Sequence, residues 1–492
     1  MVMPLWLRII LLVLSSAMTV MVFPPAGIWW MGLLAWFPLL WALHGVSPRL
    51  GFRLGLGWGA LTYGVTLSWL WTVFGVPAVG LWLLLGCFVG LFGMVYGRLT
   101  TERRKGLWPG FLAAVVWVGI EYFRGEVFSL RFAWITAGTG LPPNGLSPVI
   151  GVYGVTFVVL LGSAWVVTPG WLARFTGVGT LLVMAAFVMG PQLFHQFVGT
   201  PVSNGGFKVA LVQGESGIFD NYLDQTRAIP ELVDAVVWPE HAVGDDVREN
   251  AQDMEKLDAL VGDRTKMITI GSKTALEGIK WYNTAITFGE GGEVLGTHDK
   301  NHPVHFFDDG ERGREQRPFE TPIGKVATPI CFDCDYSGVA RKLTAAGAEV
   351  FLVPSMDPER WTAKQHEQHA VLFRHRAAEN HRFFAVASSS GVTQIIDQVG
   401  SVLKSDGSEN RLPLMEEGVL VGEVGRSERM TIFTRWGWIL GPLCGWVAGV
   451  VLAWVCYGLG REWYEGRKGG GVKSGESDGD RAMVRAVDFG KD

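Results

Sequence analysis

Apolar and polar positions divide this chain into two unlike parts. Up to about residue 200, apolar residues run in long blocks with few charges between them. Blocks of roughly 17–25 apolar residues can cross a hydrocarbon core of about 30 Å as helices. Seven such blocks stand in the front part, at about 6–23, 26–44, 54–74, 77–97, 108–122, 148–168 and 177–197, and an eighth at about 433–459. The stretch 132–147 is semi-polar, with Gly138, Gly140, Pro142 and Pro143, and reads as a re-entrant or interfacial segment. Arg8 before a hydrophobic stretch also fits a signal peptide. Pro24, Pro25 and a second apolar block follow at once, so the first block reads as a retained span.

Between 205 and 425 the pattern shortens. The runs 208–213, 235–240, 267–272, 284–288, 325–332, 349–355, 383–390 and 419–424 read as strands. Residues 336–348 and 362–380 read as helices, the first ended by Gly347. Residues 287–296 read as a hairpin with a Gly turn. Strands alternating with helices predict an α/β sheet covered by helices. The expected organisation is a transmembrane domain over 1–200 with seven spans and a soluble α/β domain over 205–425. A last span over 433–459 and a disordered, Gly- and Ser-rich charged tail over 465–492 follow.

Composition agrees with the division. Only 18% of residues are charged, against about 25% in an ordinary soluble domain. Asp, Glu, Lys and Arg number 13 in residues 1–200. The net charge of −4 gives no reason to expect a nucleic-acid partner. Basic residues fix an orientation, because they favour the cytoplasmic side. Arg8, the pair Arg49 and Arg53, the group Arg98, Arg103, Arg104 and Lys105, then Arg174 and the tail fall on one side of eight spans. Arg124 and Arg131 are a mild exception. Both termini are then cytoplasmic and 198–432 lies outside, periplasmic in a two-membrane bacterium. Trp29, Trp30, Trp36, Trp69 and Trp71 read as interface-belt and packing residues, and Glu121 beside Arg124 as a paired interfacial charge.

Three residues carry candidate chemistry, each where a strand meets a loop. Glu240 lies in "VVWPEHA", Lys300 in "GEVLGTHDKNH" and Cys331 in "ATPICFDCDYSG". A thiol becomes a strong nucleophile as thiolate. A carboxylate beside it can take its proton. A nearby Lys would lower the thiol pKa and stabilise an oxyanion, joined by the backbone N–H of Phe332. Together these parts support acyl transfer through a thioester. Cys331 and Cys334 form C-x-x-C, and His366 and His369 share a helix face in "HEQH", but neither pattern has the second pair or the HExxH form of a metal site. Cys334 is expected to point away from the nucleophile. No metal or cofactor is expected.

The ordered trio "WPE", "GxxxGxxDKxH" and "ICF-D", followed by a helix and "FLVPS", resembles the nitrilase superfamily of carbon–nitrogen hydrolases. The resemblance implies an αββα sandwich with Glu240 as general base, Lys300 stabilising the intermediate and Cys331 as nucleophile. The apolar stretches 23–43, 58–71 and 146–165 resemble apolipoprotein N-acyltransferases, whose layout sets a nitrilase-like domain between the last two of eight spans. That resemblance implies a phospholipid acyl donor, a diacylglyceryl apolipoprotein acceptor and residence in the bacterial inner membrane. The sequence departs from the family in three places. Where the family shows "VPFGE", this chain has "NHPVHFFDDGERG", so Asp308 or Asp309 replaces a Glu. Asp333 fills an acidic position with a shorter arm. "PERWTAKQHEQH" replaces a "WFG" segment. A membrane-tethered amidase would use the same trio. A catalytically dead scaffold is opposed by the intact trio, and a transporter by the near absence of ionisable residues in the spans.

Overall fold

Apolar blocks become helices where length and composition allow it. The computed structural model describes residues 3–101, 106–198, 206–314, 317–405, 408–409 and 411–470. Among these, five helices are long and apolar enough to cross a membrane: Leu5–Val22, Pro77–Thr101, Ser147–Val167, Trp171–Gly190 and Gly437–Glu465. The other three expected blocks are shorter, more polar or interrupted. The block 26–44 is divided into a turn over Trp29–Leu33 and a short helix, Trp36–Leu43. The block 54–74 is divided between Pro48–Thr66, which carries Arg49 and Arg53, and Trp69–Phe74. Trp108–Tyr122 has 15 residues. The last helix continues to Gly470. The rest of the expected tail, 471–492, and the basic group Arg103, Arg104 and Lys105 lie outside the described residues.

Helices Pro48–Thr66 and Pro77–Thr101 meet along a seam of small residues. A Cβ on Gly51 would lie 2.2 Å from the Gly93 carbonyl oxygen, and one on Gly55 2.5 Å from that of Val89. Glycine at every fourth position lets two backbones approach where no hydrophobic effect drives helices together. The stretch 132–146 holds no helix and is largely buried. Its backbone is satisfied from within: Ala137 N–H donates to Glu121 Oε1 at 3.0 Å and Gly138 N–H to Thr156 Oγ1 at 2.8 Å. Glu121 is therefore a buried brace for an irregular segment, and not the interfacial ion pair its neighbour Arg124 suggested.

The strands of the second half are β1 (Phe207–Gln213), β2 (Ala235–Val237), β3 (Ile268–Ala275), β4 (Trp281–Phe288), β5 (Val294–Asp299), β6 (Phe319–Thr321), β7 (Gly324–Ala327), β8 (Val350–Ser355), β9 (Phe383–Ser388), β10 (Gln394–Ile396), β11 (Lys404–Ser405), β12 (Ser408–Glu409) and β13 (Gly418–Val424). One sheet runs β13-β1-β2-β3-β4-β5 and the other β10-β9-β8-β7-β6, while β11 and β12 form a ribbon. The centres are parallel, β1-β2-β3 and β7-β8-β9, with antiparallel edges. Side chains alternate across a strand. Val209 and Leu211 of β1 meet Leu352 and Ala385 of the other sheet, while Ala210 and Val212 face Tyr222 and Leu257 of two helices. Phe351 and Val353 of β8 are covered by Val339, Leu343 and Phe373 on the opposite side. Four layers result, helix, sheet, sheet, helix.

Two expected strands stop early at prolines, which cannot donate to a ladder. The run 235–240 ends at Val237 before Pro239, and 325–332 ends at Ala327 before Pro329. Both truncations free the next residues to enter a cleft. Side chains then fasten this sandwich to the apolar half. Gln368, on helix Ala363–Asn380, accepts from Trp69 Nε1 at 3.0 Å and donates to the carbonyls of Thr66 and Pro24 at 3.0 and 3.2 Å. Glu379 accepts from Val152 N–H at 2.8 Å, and Glu126 from Ser337 N–H at 3.0 Å. Trp69 is therefore a docking residue and Trp36 packs inside, 5.2 Å from Trp117, whereas Trp30 and Trp71 are exposed as a belt requires.

Candidate active site

Glu240 reaches the cleft because its strand end is anchored behind it. Trp238 is wholly buried and donates through Nε1 to Thr226 Oγ1 at 2.9 Å. The chain then turns past β3 at Gly271, where a Cβ would lie 2.5 Å from Glu240 Cα, so only glycine leaves room. Lys300 follows β5 and is held by its N–H to the Asn283 carbonyl at 2.8 Å. Its Nζ sits 2.6 Å from Glu240 Oε1 and 2.7 Å from Asp309 Oδ2. Asn283 closes the group, donating through Nδ2 to Glu240 Oε1 and Asp309 Oδ1 at 2.7 Å each. His241 Nε2 lies 3.4 Å from Asp309 Oδ1. The ligand atoms of Glu240, His241 and Asp309 fall within 4.8 Å of one another, but the Lys300 ammonium already occupies the position of a cation between two of them.

Burial favours a neutral Lys300 amine, yet the Asp309 and Glu240 carboxylates outweigh it and hold the ammonium form well above its ordinary range. Burial also opposes the Asp309 carboxylate, and Lys300 more than offsets it, so this group stays ionised well below the usual range. Between the two acids in "FFDDG" the structure therefore chooses Asp309; Asp308 is exposed and outside the cluster.

Cys331 opens a short turn, Cys331–Asp335, after the strand and not directly from it, and it has a positive φ of 45°. A non-glycine residue in this region is strained. Here it aims Sγ at the Met356 carbonyl, 3.5 Å away at the end of β8. Phe332 N–H is in the first turn, where no helical acceptor exists. Burial and the Glu240 charge raise the thiol well above its usual range, and Lys300 only partly opposes them. Lys300 does lower the thiol, as expected, but the loss of water and the charges of Glu240 and Asp357 weigh more.

Asp333 serves the turn from below. It accepts from the N–H groups of Asn301, His302 and Ile330 at 2.9, 2.8 and 3.2 Å, and lies 3.0 Å from His298 Nε2. Burial would raise its carboxyl, but the contacts with His298 and His302 prevail and hold it well below the usual range. It ties the Lys300 loop to the Cys331 turn and does not reach the cleft. Cys334 is a free thiol packed behind it among Val339, Leu343 and Phe351.

A second buried cluster was not read from the sequence as a unit. His369 Nδ1 lies 2.9 Å from Asp357 Oδ1, and its Nε2 lies 3.2 Å from Asp335 Oδ1. Trp134 donates from Nε1 to Asp335 and stacks on the imidazole at 5.5 Å. Burial favours neutral imidazole, but Asp357 and Asp335 prevail and push His369 up to about 10. His366 turns elsewhere, to the Pro358 carbonyl at 3.1 Å. Cys331, Phe332, Asp357 and His369 share one cavity of about 110 Å³. Leu70, Val73, Phe74, Leu81, Leu84 and Leu85, all from the apolar half, line it too. The altered segment after Lys300 lies over it, with Phe306 and Phe307 5.7 and 5.9 Å from Phe74.

A buried thiol beside a largely apolar cavity, with a buried Glu–Lys–Asp cluster in the same domain, directs comparison to known families. Residues 15–165 match the apolipoprotein N-acyltransferase N-terminal domain, and 208–429 match carbon–nitrogen hydrolase. Together these matches cover more than half of the chain. The chain is similar to apolipoprotein N-acyltransferases along most of its length. A relative of that name in Geobacter metallireducens is 25% identical over 88% of this chain and 92% of its own length. One in Azotobacter vinelandii is 28% identical over 90% of this chain and 93% of its own. Among solved structures, an amidase from Nesterenkonia sp. aligns with 48% of this chain and 95% of its own at 19% identity and a TM-score of 0.39. Residues 208–429 thus carry a carbon–nitrogen hydrolase domain in an acyltransferase-type chain, and the apolar helices give that chain membrane character.

Proposed function

We propose that this protein moves a fatty acyl chain from a membrane phospholipid to the N-terminal amine of a diacylglyceryl-cysteine apolipoprotein, through a thioester on Cys331. The observation that carries this reading is the shared cavity: Cys331 and leucines of the membrane half line the same space. In the first step Glu240 takes the Sγ proton as sulfur attacks the ester carbonyl. Lys300 and the Phe332 N–H receive the oxyanion. The ester C–O bond breaks, Glu240 returns the proton to the departing lysophospholipid alkoxide, and the acyl group stays on sulfur. In the second step the α-amine attacks the thioester and gives up a proton to Glu240. The C–S bond breaks and the thiolate recovers that proton.

Coupling proton removal to attack suits a thiol whose ionisation burial opposes. No metal or dissociable cofactor enters either step. Both lipid substrates are anchored in a bilayer, so the sandwich must stand at its surface. On this reading the apolar blocks make eight spans, both termini are cytoplasmic, and the sandwich faces the periplasm from the inner membrane. Regions 1–200, 205–425 and 433–459 are then the front spans, the catalytic domain and the last span, and 465–492 is a cytoplasmic tail.

The test is full-length protein in micelles with acyl-labelled phospholipid, with and without a diacylglyceryl-cysteine peptide bearing a free amine. Label appearing on the peptide as an amide is the expected result. Label released only as free fatty acid would contradict transfer and make the protein a membrane-tethered hydrolase.

A further inference from the structure

The cavity beside Cys331 holds two basic groups that the proposed chemistry leaves unused. Arg131 comes from the irregular segment of the membrane half, and His305 from the loop after Lys300. Both are half-buried. Buried basic groups in this protein have partners: Lys300 pairs with Glu240 and Asp309, His369 with Asp357 and Asp335, and Arg376 with Glu379 at 3.0 Å, while Arg8, Arg124 and Arg382 donate to backbone carbonyls. Arg131 has neither kind of partner. Among the described residues nothing accepts from its guanidinium; its contribution is a backbone carbonyl that accepts from Tyr336 Oη at 3.4 Å. The His305 ring meets Phe306 edge-on at 6.4 Å and has no hydrogen-bond partner among the described residues. Burial and the Arg131 charge, with His302, hold its imidazole below the ordinary range. Two domains thus bring a guanidinium and an imidazole, neither with a hydrogen-bond acceptor or donor partner among the described residues, to one largely apolar cavity.

An unmatched charge in an apolar setting is costly unless an ion of opposite sign fills the place. A guanidinium presents a planar fork of donors that suits a phosphate. We propose that Arg131 and His305 form a binding site for the phosphate of the acyl donor, a glycerophospholipid whose acyl chain lies along the leucine wall. Only the glycerol unit separates that phosphate from the ester carbonyl, so its site must share a cavity with the nucleophile, as these residues do. This inference rests on the proposed phospholipid donor and adds how that donor is distinguished from a phosphate-free lipid.

The test uses full-length protein in micelles at limiting donor, with acyl-labelled phosphatidylglycerol or equally labelled diacylglycerol, and reads the rate of acyl-enzyme formation. Wild type should prefer the phospholipid by about tenfold or more, the range of a charge-assisted contact. Arg131→Ala should slow only the phospholipid reaction and bring the two donors near parity; Arg131→Lys should keep part of the preference. His305→Ala should act in the same direction. Equal slowing with both donors would assign Arg131 a structural role and overturn the site. Inhibition by millimolar inorganic phosphate, with donor preference surviving in Arg131→Ala, would assign the site to free phosphate and overturn the lipid. Wild type that labels from neither donor would overturn the donor reading itself, and this site with it.

Discussion

Cys331 lies between two buried clusters with the same charge pattern and different cations. On the first-sheet side Lys300 stands between Glu240 and Asp309, with Nζ–O distances of 2.6 and 2.7 Å. On the other side His369 stands between Asp357 and Asp335, at 2.9 and 3.2 Å. Both clusters offset the desolvation of ions by pairing them. The Lys300 cluster draws its members from the segments that follow β2 and β5, and Asn283 of β4 closes it. The His369 cluster draws its members from the nucleophile turn, the end of β8 and a docking helix, and Trp134 of the membrane half covers it. The first arrangement suits proton and charge transfer. The second suits holding the nucleophile turn in place against the membrane half. A lysine keeps its charge throughout the accessible pH range, whereas an imidazolium can lose its proton at alkaline pH.

The largest expected effect tests the first cluster. Lys300→Met leaves Glu240 and Asp309 buried and unpaired, which should lower stability by about 3–5 kcal/mol. Acyl-enzyme formation should fall by about 100- to 1,000-fold, the scale of a lost oxyanion partner. Labelling rates and thermal melts of the micellar protein measure both. Near-normal labelling would remove Lys300 from the chemistry and erase the contrast between clusters.

A smaller effect is expected from His369→Gln, with labelling slowed by about tenfold. Its distinguishing sign is pH. An exposed His titrates near 6.5, and here the folded protein holds the proton up to about 10. A raised value means stability fully present below about 6.5 and lost as pH climbs through about 10. Wild type should therefore lose melting temperature over that window, and the variant should show a flatter profile. A labelling defect as deep as that of Lys300→Met, with an unchanged pH profile, would place His369 in the chemistry. The smallest effect is expected at Cys334, which packs behind the turn. Cys334→Ala should lower stability by about 1 kcal/mol and leave labelling unchanged; a lost acyl-enzyme would show that C-x-x-C acts as a pair.

Motifs in the sequence identified Glu240, Lys300 and Cys331 because each is a local signal, a strand end followed by a loop. Asp309 was legible only as one of two neighbours. Exposure separates it from Asp308, and exposure depends on how the loop folds back. Asn283 and His369 were not legible as site residues. Asn283 sits mid-strand on β4, where only its cross-sheet neighbours reveal a polar role, and the partners of His369 lie 12 and 34 positions away. Helices Phe219–Arg227 and Ala251–Asp263 and the edge strand β6 were also unread. The helices are polar with few apolar positions, and the strand has three residues, too short for a period to show. The cavity itself joins residues more than 200 positions apart, and only packing discloses it.

Acyl-labelled phospholipid incubated with the micellar protein, followed by a non-reducing gel, tests the thioester most directly. Wild type should carry label that hydroxylamine removes, and Cys331→Ala should carry none. A folded wild type without label, or equal label on Cys331→Ala, would contradict the account.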